Sequence, residues 1–377
     1  MRRQGALVAL TALLLCCIAL PVLGTIEPDE PISYPTETDT PQMRAYVPIE
    51  IFAPQELADI ANNPGRDYVL SSDIDMKGFH WVPFPFSGTL DGAGHTVYNL
   101  RVDQPGTQRE ISVDGNRVEY DTVFAGLFSH LDSAVIKDLT LMNIRINVTT
   151  GENCFLGGLA GYARDVKIQD VRVSGRLHLT MASRMGGVGG IIGFGNGSIS
   201  GSAADVELVF VDTNRKVKCE QFMGGIAACG YLDLQDCSVK LEGYASVHGY
   251  VHSGGLLGMY HVHDEAQRKV HPGYVRGCTV DGHIRFFENN KDRRAYCRRF
   301  VGEELHRNLE VQENAYTRFI RDERDNFRIN LLPEMCETPV YTAAVTLPTA
   351  GAFGFTAYTC RTCGYLFSDD FTAPLPD

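Results

Sequence analysis

Five copies of one short phrase set the hydrophobic pattern of this chain. Each copy places an aliphatic residue directly after two small residues, and the copies begin at positions 125, 157, 189, 224 and 254. The steps between them are therefore 32, 32, 35 and 30 residues. A self-similar period of this length is typical of stacked repeats. We predict a solenoid over this part of the chain.

A second apolar run follows each phrase. In the first copy, Ile136, Leu139 and Leu141 occupy the first, fourth and sixth positions. Alternation from the fourth position onward predicts a strand with one inward face, and the longer first step predicts a bend at the Asp or Gly between them. A third short run, such as Ile144-Arg145-Ile146, often comes next. Each period therefore holds about three short strands and no helix, which predicts an all-β fold, a parallel β-helix with coils about 4.8 Å apart. The predicted inward columns are Leu127, Leu159, Ile191, Ile226 and Leu256, and Ile136, Ile168, Ile199, Leu234 and Val275.

The flanking segments predict caps for this solenoid. Leu57, Ile60 and Ala61 have helical spacing after Pro54, which predicts a short N-terminal capping helix. From residue 288 the pattern becomes polar, and the charged stretch from Glu303 to Phe327 predicts helical segments that close the far end. The expected C-terminal region is thus partly helical and contains cysteines.

The N-terminal residues predict export. A basic start precedes an apolar run from Ala6 to Leu23, and small residues follow, so we expect a signal peptide at 1–24. An uncleaved membrane anchor is the alternative, and it would be the only membrane contact. We divide the remainder into a Pro/Thr/acidic linker at 25–47, a β-helix at 48–287, a partly helical cap at 288–335 and a small cysteine-containing tail module at 336–377.

Composition narrows the classes of partner. The formal net charge is −12 and the pI about 5.4, which argues against nucleic acid or an anionic membrane as the main partner. We expect an extracellular monomer whose ligand is a glycan or a surface protein.

The repeats resemble those of the GLUG-motif family of bacterial surface proteins. The resemblance rests on the Gly-Leu-hydrophobic-Gly phrase together with the upstream turn Asp91-Gly92-Ala93-Gly94-His95-Thr96, and it covers about residues 49–287. Ala125 and Ala228 depart from it, each where glycine is usual. The resemblance implies a right-handed β-helix and a secreted or surface protein, often Gram-positive; related repeats accompany adhesins and metallopeptidases that cleave immunoglobulin A.

The cysteines offer a metal-site hypothesis. Cys360 and Cys363 form a Cys-x-x-Cys-Gly half-site, and Cys336 is a third candidate ligand for structural zinc. The tail is similar to small cysteine-containing repeats of bacterial surface proteins, although Ala350 stands where those carry a cysteine. A disulfide or free thiols are the alternatives. Cys237 and Cys278 fall at equivalent positions of successive coils, as core residues or as a disulfide.

A second metal hypothesis involves His261 and His263, which lie on one side of an extended segment; a solvated loop is the alternative. We expect no cofactor beyond possible structural zinc. The sequence contains no His-Glu-x-x-His and no Gly-x-Ser-x-Gly. Asp73, Asp75 and Asp91 could serve a carbohydrate-active enzyme, but turn and edge roles explain each of them.

The leading functional hypothesis is a non-catalytic secreted or surface β-helix that acts in adhesion or ligand presentation to host or cell-wall material. One alternative is a polysaccharide lyase or glycosidase with its site near Trp81 or the His-rich loop, and the other is a structural spacer. Any site should lie where the repeat is broken, at Asp103–Asp121, at Tyr260–His271 or in the cysteine tail.

Overall fold

A computed structural model describes most of the chain beyond residue 46. The described residues are 47–106, 108–111, 120–214, 216, 218–246, 249–261, 273–287, 294–304, 309–322, 336, 338–362 and 364–376. The expected signal segment 1–24, and the expected linker up to residue 46, lie outside them. Among the described residues, no helix is long and apolar enough to cross a membrane.

The described residues form strands β1–β32, numbered along the chain, in three parallel sheets and one antiparallel sheet. Sheet A contains β1 (Ile49–Ile51), β2 (Tyr68–Leu70), β4 (Phe84–Phe86), β5 (Thr89–Asp91), β10 (Phe128–Asp132), β11 (Val135–Lys137), β14 (Ala160–Gln169), β17 (Ile192–Ser200), β20 (Ala227–Gln235), β23 (Leu257–Tyr260), β24 (Gly273–Arg276), β27 (Val301–Glu304) and β28 (Leu309–Gln312). Sheet B contains β3 (Ile74–Asp75), β6 (Thr96–Tyr98), β7 (Arg101–Val102), β12 (Thr140–Thr150), β15 (Arg172–Met181), β18 (Ala203–Asp212), β21 (Ser238–Ser246), β25 (Thr279–Phe287) and β29 (Ala315–Asp322). Sheet C contains β8 (Gln108–Ile111), β9 (Tyr120–Ala125), β13 (Asn153–Gly157), β16 (Met185–Gly189), β19 (Glu220–Gly224), β22 (Tyr250–Gly254) and β26 (Arg294–Arg298); only β8 pairs antiparallel there.

The fold is the predicted parallel β-helix. In a central coil, β13 of sheet C leads through the glycine turn into β14 of sheet A, and a corner leads on into β15 of sheet B. Each of these strands pairs in parallel with its counterpart one coil later. All ten residues of the two predicted inward columns are fully buried, at 0% exposure. Burying an aliphatic side chain contributes about 1.5–3 kcal/mol.

The glycine phrase forms the turn between sheets C and A. Leu159 N–H donates to Ile191 O at 2.9 Å, and Ile191 N–H donates to Ile226 O at 2.8 Å, so the phrases stack coil on coil. Backbone approaches so closely here that a Cβ at Gly190 would lie 2.0 Å from Gly225 O. Only glycine fits that position without a shift of the main chain.

The bend between sheets A and B is made by one left-handed residue per coil, as the spacing of the second apolar run predicts. Asp and Gly tolerate this conformation better than most residues. The corner residues and their φ angles are Asp138 (51°), Asp170 (53°), Gly201 (59°), Asp236 (53°), Gly277 (66°) and Glu313 (56°). The repeated aspartates therefore have a structural role. In the next position, Cys237 and Cys278 stack as buried residues, with Cys237 N–H donating to Cys278 Sγ at 3.4 Å.

The N-terminal cap is present where the sequence predicts it. Helix α1 spans Pro54–Asp59 with Pro54 in its first turn, and a 3-10 turn follows at Ile60–Asn62. Leu57 and Ile60 are fully buried in the core that runs along the solenoid.

The predicted helical segments beyond residue 303 are wrong for the residues that the structure describes. β27, β28 and β29 instead add a further coil to sheets A and B. In β29 the exposed charges of Arg318 and Arg321 fall on opposite faces, because they are three residues apart in a strand. Tyr316 and Ile320 are also 44% and 41% exposed. Apolar and polar residues therefore do not alternate regularly, which hides the period of two.

The tail module contains a small antiparallel sheet, the tail sheet. Its strands are β30 (Tyr341–Thr346), β31 (Gly354–Cys360) and β32 (Leu366–Thr372), in the order β30-β31-β32. Apart from the buried Cys360, its apolar side chains are exposed or half-buried; Val345 is 70% and Leu366 62% exposed. It packs on the outer face of sheet B, against the first coils of the solenoid.

Candidate functional site

The outer face of sheet B carries a column of charged residues. Successive side chains of a strand point to opposite faces, so the residues between the buried positions of β12, β15, β18 and β21 point outward. Strand register aligns these outward residues coil by coil, in the order Arg145, Arg176, Glu207, Glu242 and His283. The column therefore changes from two arginines to two glutamates and ends in a histidine.

Asp369 of β32 anchors the tail sheet to the basic end of this column. Its carboxylate contacts the Arg101 guanidinium at 2.7 Å and that of Arg145 at 2.9 Å, and it accepts a hydrogen bond from Asn143 Nδ2 at 2.8 Å. Burial opposes ionisation, but the Asn143 hydrogen bond and the charges of Arg145 and Arg101 outweigh it and hold the pKa of Asp369 below its usual value. The tail thus docks through a fixed negative charge.

Two asparagines in the left-handed conformation lie at the site on sheet B that Asp369 contacts. Asn99 (φ 61°) and Asn143 (φ 51°) occupy matching positions in adjacent coils, each two residues before an arginine. Asn143 Nδ2 donates to Asn99 Oδ1 at 2.8 Å, and Asn99 Nδ2 donates to Asp75 Oδ1 at 2.8 Å. Because these amides hold one another, the arginines beside them are presented to the tail in a fixed position.

Aromatic residues of the tail stack on the arginines of sheet B. The Arg145 guanidinium lies 4.8 Å from the centre of the Phe367 ring, and that of Arg176 lies 5.5 Å from the Tyr365 ring. The Tyr365 hydroxyl also donates to Glu207 Oε2 at 3.2 Å. These contacts hold the tail above the charged face.

Between the tail sheet and sheet B lies an open cleft of about 620 Å³. This volume is within the range of small-ligand sites. The polar and aromatic residues that line it are Asn143, Arg145, Asn147, Ser174, Arg176, His178, Asp205, Glu207, Lys240, Glu242, Tyr341, Tyr365, Phe367, Ser368 and Phe371.

Ion pairs hold most charges of the cleft floor in place. Arg176 Nε lies 2.8 Å from Glu207 Oε1, and both side chains are at most one-fifth exposed. Arg285 Nη1 lies 2.6 Å from Glu242 Oε2. Beside this second pair, burial raises the pKa of Tyr244 to about 12, so that its hydroxyl is protonated at neutral pH. The floor therefore offers oriented hydrogen-bond donors and acceptors with little net charge.

The structure brings together two of the cysteines in the zinc hypothesis. Cys336 Sγ and Cys360 Sγ lie 3.9 Å apart, and both side chains are buried. Cys363 lies outside the described residues. Of the two histidines in the second metal hypothesis, His261 is buried, and its backbone N–H donates to Gly230 O at 3.1 Å. His263 lies outside the described residues. In the described part of the chain, no three His, Cys, Asp or Glu residues converge as metal ligands.

The other sequence candidates take structural positions. Trp81, near which the alternative enzyme site is expected, is buried, and its Nε1–H donates to Leu127 O at 2.8 Å. Asp73 accepts from Thr96 N–H at 2.8 Å, and Asp91 pairs with Lys137 Nζ at 2.6 Å. Most of the inserted segments at 103–121 and 260–271 lies outside the described residues.

The residues of the cleft floor were missed in the sequence, although a signal for some of them is present. Arg145 and His178 are each the polar middle residue of a short apolar-polar-apolar run, in two successive repeats. Strand alternation places such residues on the outer face. The missing information was which part of the chain covers that face.

Comparisons with known proteins give distant similarity. No family model matches the chain. Halomucin of Haloquadratum walsbyi is 32% identical over 138 residues, which is 30% of this chain but only 1% of the length of that protein. A Bacteroides ovatus protein, described provisionally as an immunoglobulin A1 protease, superimposes with a TM-score of 0.46 and 14% identity over 74% of this chain and 84% of its own. The second likeness is too remote to bear on function.

Proposed function

We propose that this chain is an exported, non-catalytic β-helix protein of the GLUG-motif type that binds a glycan in the cleft between sheet B and the tail sheet, for adhesion or ligand presentation. The observation that carries the proposal is the cleft itself, with its paired charges and aromatic walls. Sugar hydroxyls both donate and accept, so they fit a floor of oriented polar groups that has little net charge. The export signal expected in the sequence and the partial similarity to Halomucin support an extracellular location.

Lys240 and Asp205 mark a part of the cleft that a ligand can reach. Lys240 Nζ lies 3.1 Å from Asp205 Oδ2, and the two side chains are 64% and 60% exposed. A pair this exposed contributes little to stability, because solvent screens it. Both groups can therefore replace hydrogen bonds to water with hydrogen bonds to ligand hydroxyls at a small cost in free energy.

The test is a glycan array followed by affinity measurements with the purified protein. We expect saturable binding of at least one glycan class, and Lys240→Ala to weaken it roughly tenfold through the loss of a charged hydrogen bond. Lys167→Ala is the matched control, since Lys167 is an exposed lysine on sheet A. The proposal fails if no glycan binds, or if both variants behave alike.

Glu207 and Glu242 favour a second candidate, a carbohydrate-active enzyme. They occupy adjacent coils of the same face, with backbones about 4.8 Å apart, and both line the cleft. Glycosidases use such a pair of carboxylates. Here each carboxylate is paired with an arginine, which favours binding over catalysis. Release of shorter or unsaturated products from a bound glycan, abolished by Glu207→Gln, would establish the enzyme instead.

A further inference from the structure

We propose that Cys336 and Cys360 form a disulfide that fastens the tail sheet. Their Sγ atoms are 3.9 Å apart, so the bond requires the sulfurs to approach by about 2 Å. Rotation about the Cα–Cβ bond moves a sulfur by distances of this size. Both residues are buried, at 9% and 1% exposure. This proposal rests on export to an oxidising compartment and is independent of glycan binding.

The backbone around the two cysteines is already held in register. Cys360 is the last residue of β31 and stands opposite Tyr341 of β30, five residues beyond Cys336. Arg361 N–H donates to Val340 O at 2.7 Å, and Cys360 N–H donates to Tyr365 O at 2.7 Å. The chain entering the tail sheet therefore passes beside the end of β31, and closing the bond costs little conformational entropy.

A crosslink would stabilise the tail sheet. A sheet of three short strands is marginally stable without a buried apolar face. Tyr341, Val345 and Leu366 are all more than a third exposed. The other large apolar side chains of this sheet are only half-buried; they are Phe355, Tyr358, Phe367 and Phe371. Small modules with so little core are usually held by disulfides or a metal.

The donor set favours a disulfide over zinc. Structural zinc takes four ligands. The described residues supply two sulfurs here and no third His, Cys, Asp or Glu in reach, and the sequence offers Cys363 as one further thiol. Two adjacent thiols suffice for a disulfide, whereas zinc needs two ligands beyond the pair that the described residues supply.

The bond forms by thiol–disulfide exchange with an oxidised dithiol donor. One thiolate attacks a donor sulfur and displaces the other, giving a mixed disulfide; the second cysteine thiolate then attacks the protein-side sulfur. The two cysteine thiols lose two protons and two electrons, and the donor leaves as a dithiol. No other reactant is required.

Tryptic mapping without reduction distinguishes the pairings. Cleavage at Arg328 and Arg361 gives peptides 329–361, which carries both Cys336 and Cys360, and 362–377, which carries Cys363. After alkylation of protein exported to an oxidising compartment, we expect peptide 329–361 to be unalkylated and lighter by two hydrogen atoms than its reduced form. Two alkylated cysteines in that peptide, a crosslink to 362–377, or one bound zinc per chain would overturn the proposal.

Variants give an independent readout. Cys336→Ser should accelerate hydrogen exchange in β32, because the tail sheet loses its fastening, while Cys363→Ser should leave both the mass of peptide 329–361 and the exchange unchanged. Equal exchange in the two variants contradicts the proposed fastening. The wild-type peptide map decides the bond itself even if Cys336→Ser does not fold. Absence of glycan binding would leave this result unaffected.

Discussion

Replacement of Asp369 by asparagine should release the tail sheet from the solenoid. The change keeps the shape of the side chain and its hydrogen bond with Asn143, but it removes the negative charge that faces Arg101 and Arg145. Lost charge, rather than lost packing, is therefore the perturbation.

The magnitude follows from the number and exposure of these contacts. Hydrogen bonds to charged groups contribute about 1.5–3 kcal/mol each when well buried. Asp369 is 24% exposed and its arginine partners 34–35%, so solvent screening reduces each contact toward about 1 kcal/mol. Two lost contacts and the two arginines left facing each other give a total of about 2–3 kcal/mol, or roughly a 30- to 150-fold rise in the released fraction.

Hydrogen exchange of the β32 amides measures this fraction. Apart from Cys360, the apolar side chains of the tail sheet are exposed or only half-buried, so its release should expose these amides together. Asp370→Asn is the matched control: Asp370 is 43% exposed and its ion-pair partner Lys77 is 64% exposed. The hydrogen bond that Asp370 accepts from the Tyr358 hydroxyl lies within the tail sheet and can be kept by an amide oxygen, so we expect less than about a fivefold change. Unchanged exchange in Asp369→Asn, or equal acceleration in the two variants, would refute the electrostatic account of docking.

Three other predictions concern the turn, the corner and pH. Gly190→Ala should cost more than about 2 kcal/mol of unfolding free energy, because its Cβ would meet backbone, whereas Gly151→Ala, with open space around it, should be near neutral in the same denaturant titration. Asp170→Gly should preserve or raise the melting temperature and Asp170→Ala should lower it, since φ is 53° there; the opposite order would contradict a conformational role. The pKa of Asp369 is lowered in the folded chain, so its contribution to docking is complete above its unfolded pKa and is lost as pH falls through the lower folded value. Relative to the intrinsic exchange rate, which itself falls with pH, exchange in β32 should therefore increase below about pH 4 in the wild type but little in Asp369→Asn.

The sequence predicts the solenoid because its determinants are local and repeated. Leu159 and Ile191 occupy equivalent positions of successive coils, and each coil also has a corner residue such as Asp170. Each coil therefore shows the same pattern in the sequence. The last coil was not predicted because, among the described residues, only the preceding coil packs against it. Arg318 and Arg321 of β29 are exposed charges in a strand whose apolar residues are also partly exposed, and such a pattern has no clear period.

The candidate site could not be predicted because it depends on distant pairing. Asp369 meets Asn143 across 226 residues and Arg101 across 268 residues. Neither side of this contact repeats, and an aspartate near an aromatic run has many ordinary roles. The alternation that points Arg145 outward is visible in the sequence, but the identity of the segment that covers it is a property of the folded chain alone.

Docking of the tail on the first coils has a mechanical consequence. In an open solenoid, a pull on the C-terminal side would peel the last coil first and unwind the coils one at a time. Here β32 is tied to Arg101 and Lys77 at the opposite end of the sequence. Tension transmitted through β32 would therefore act on the early coils. The ion pairs around Asp369 would break first, while the later coils stay folded.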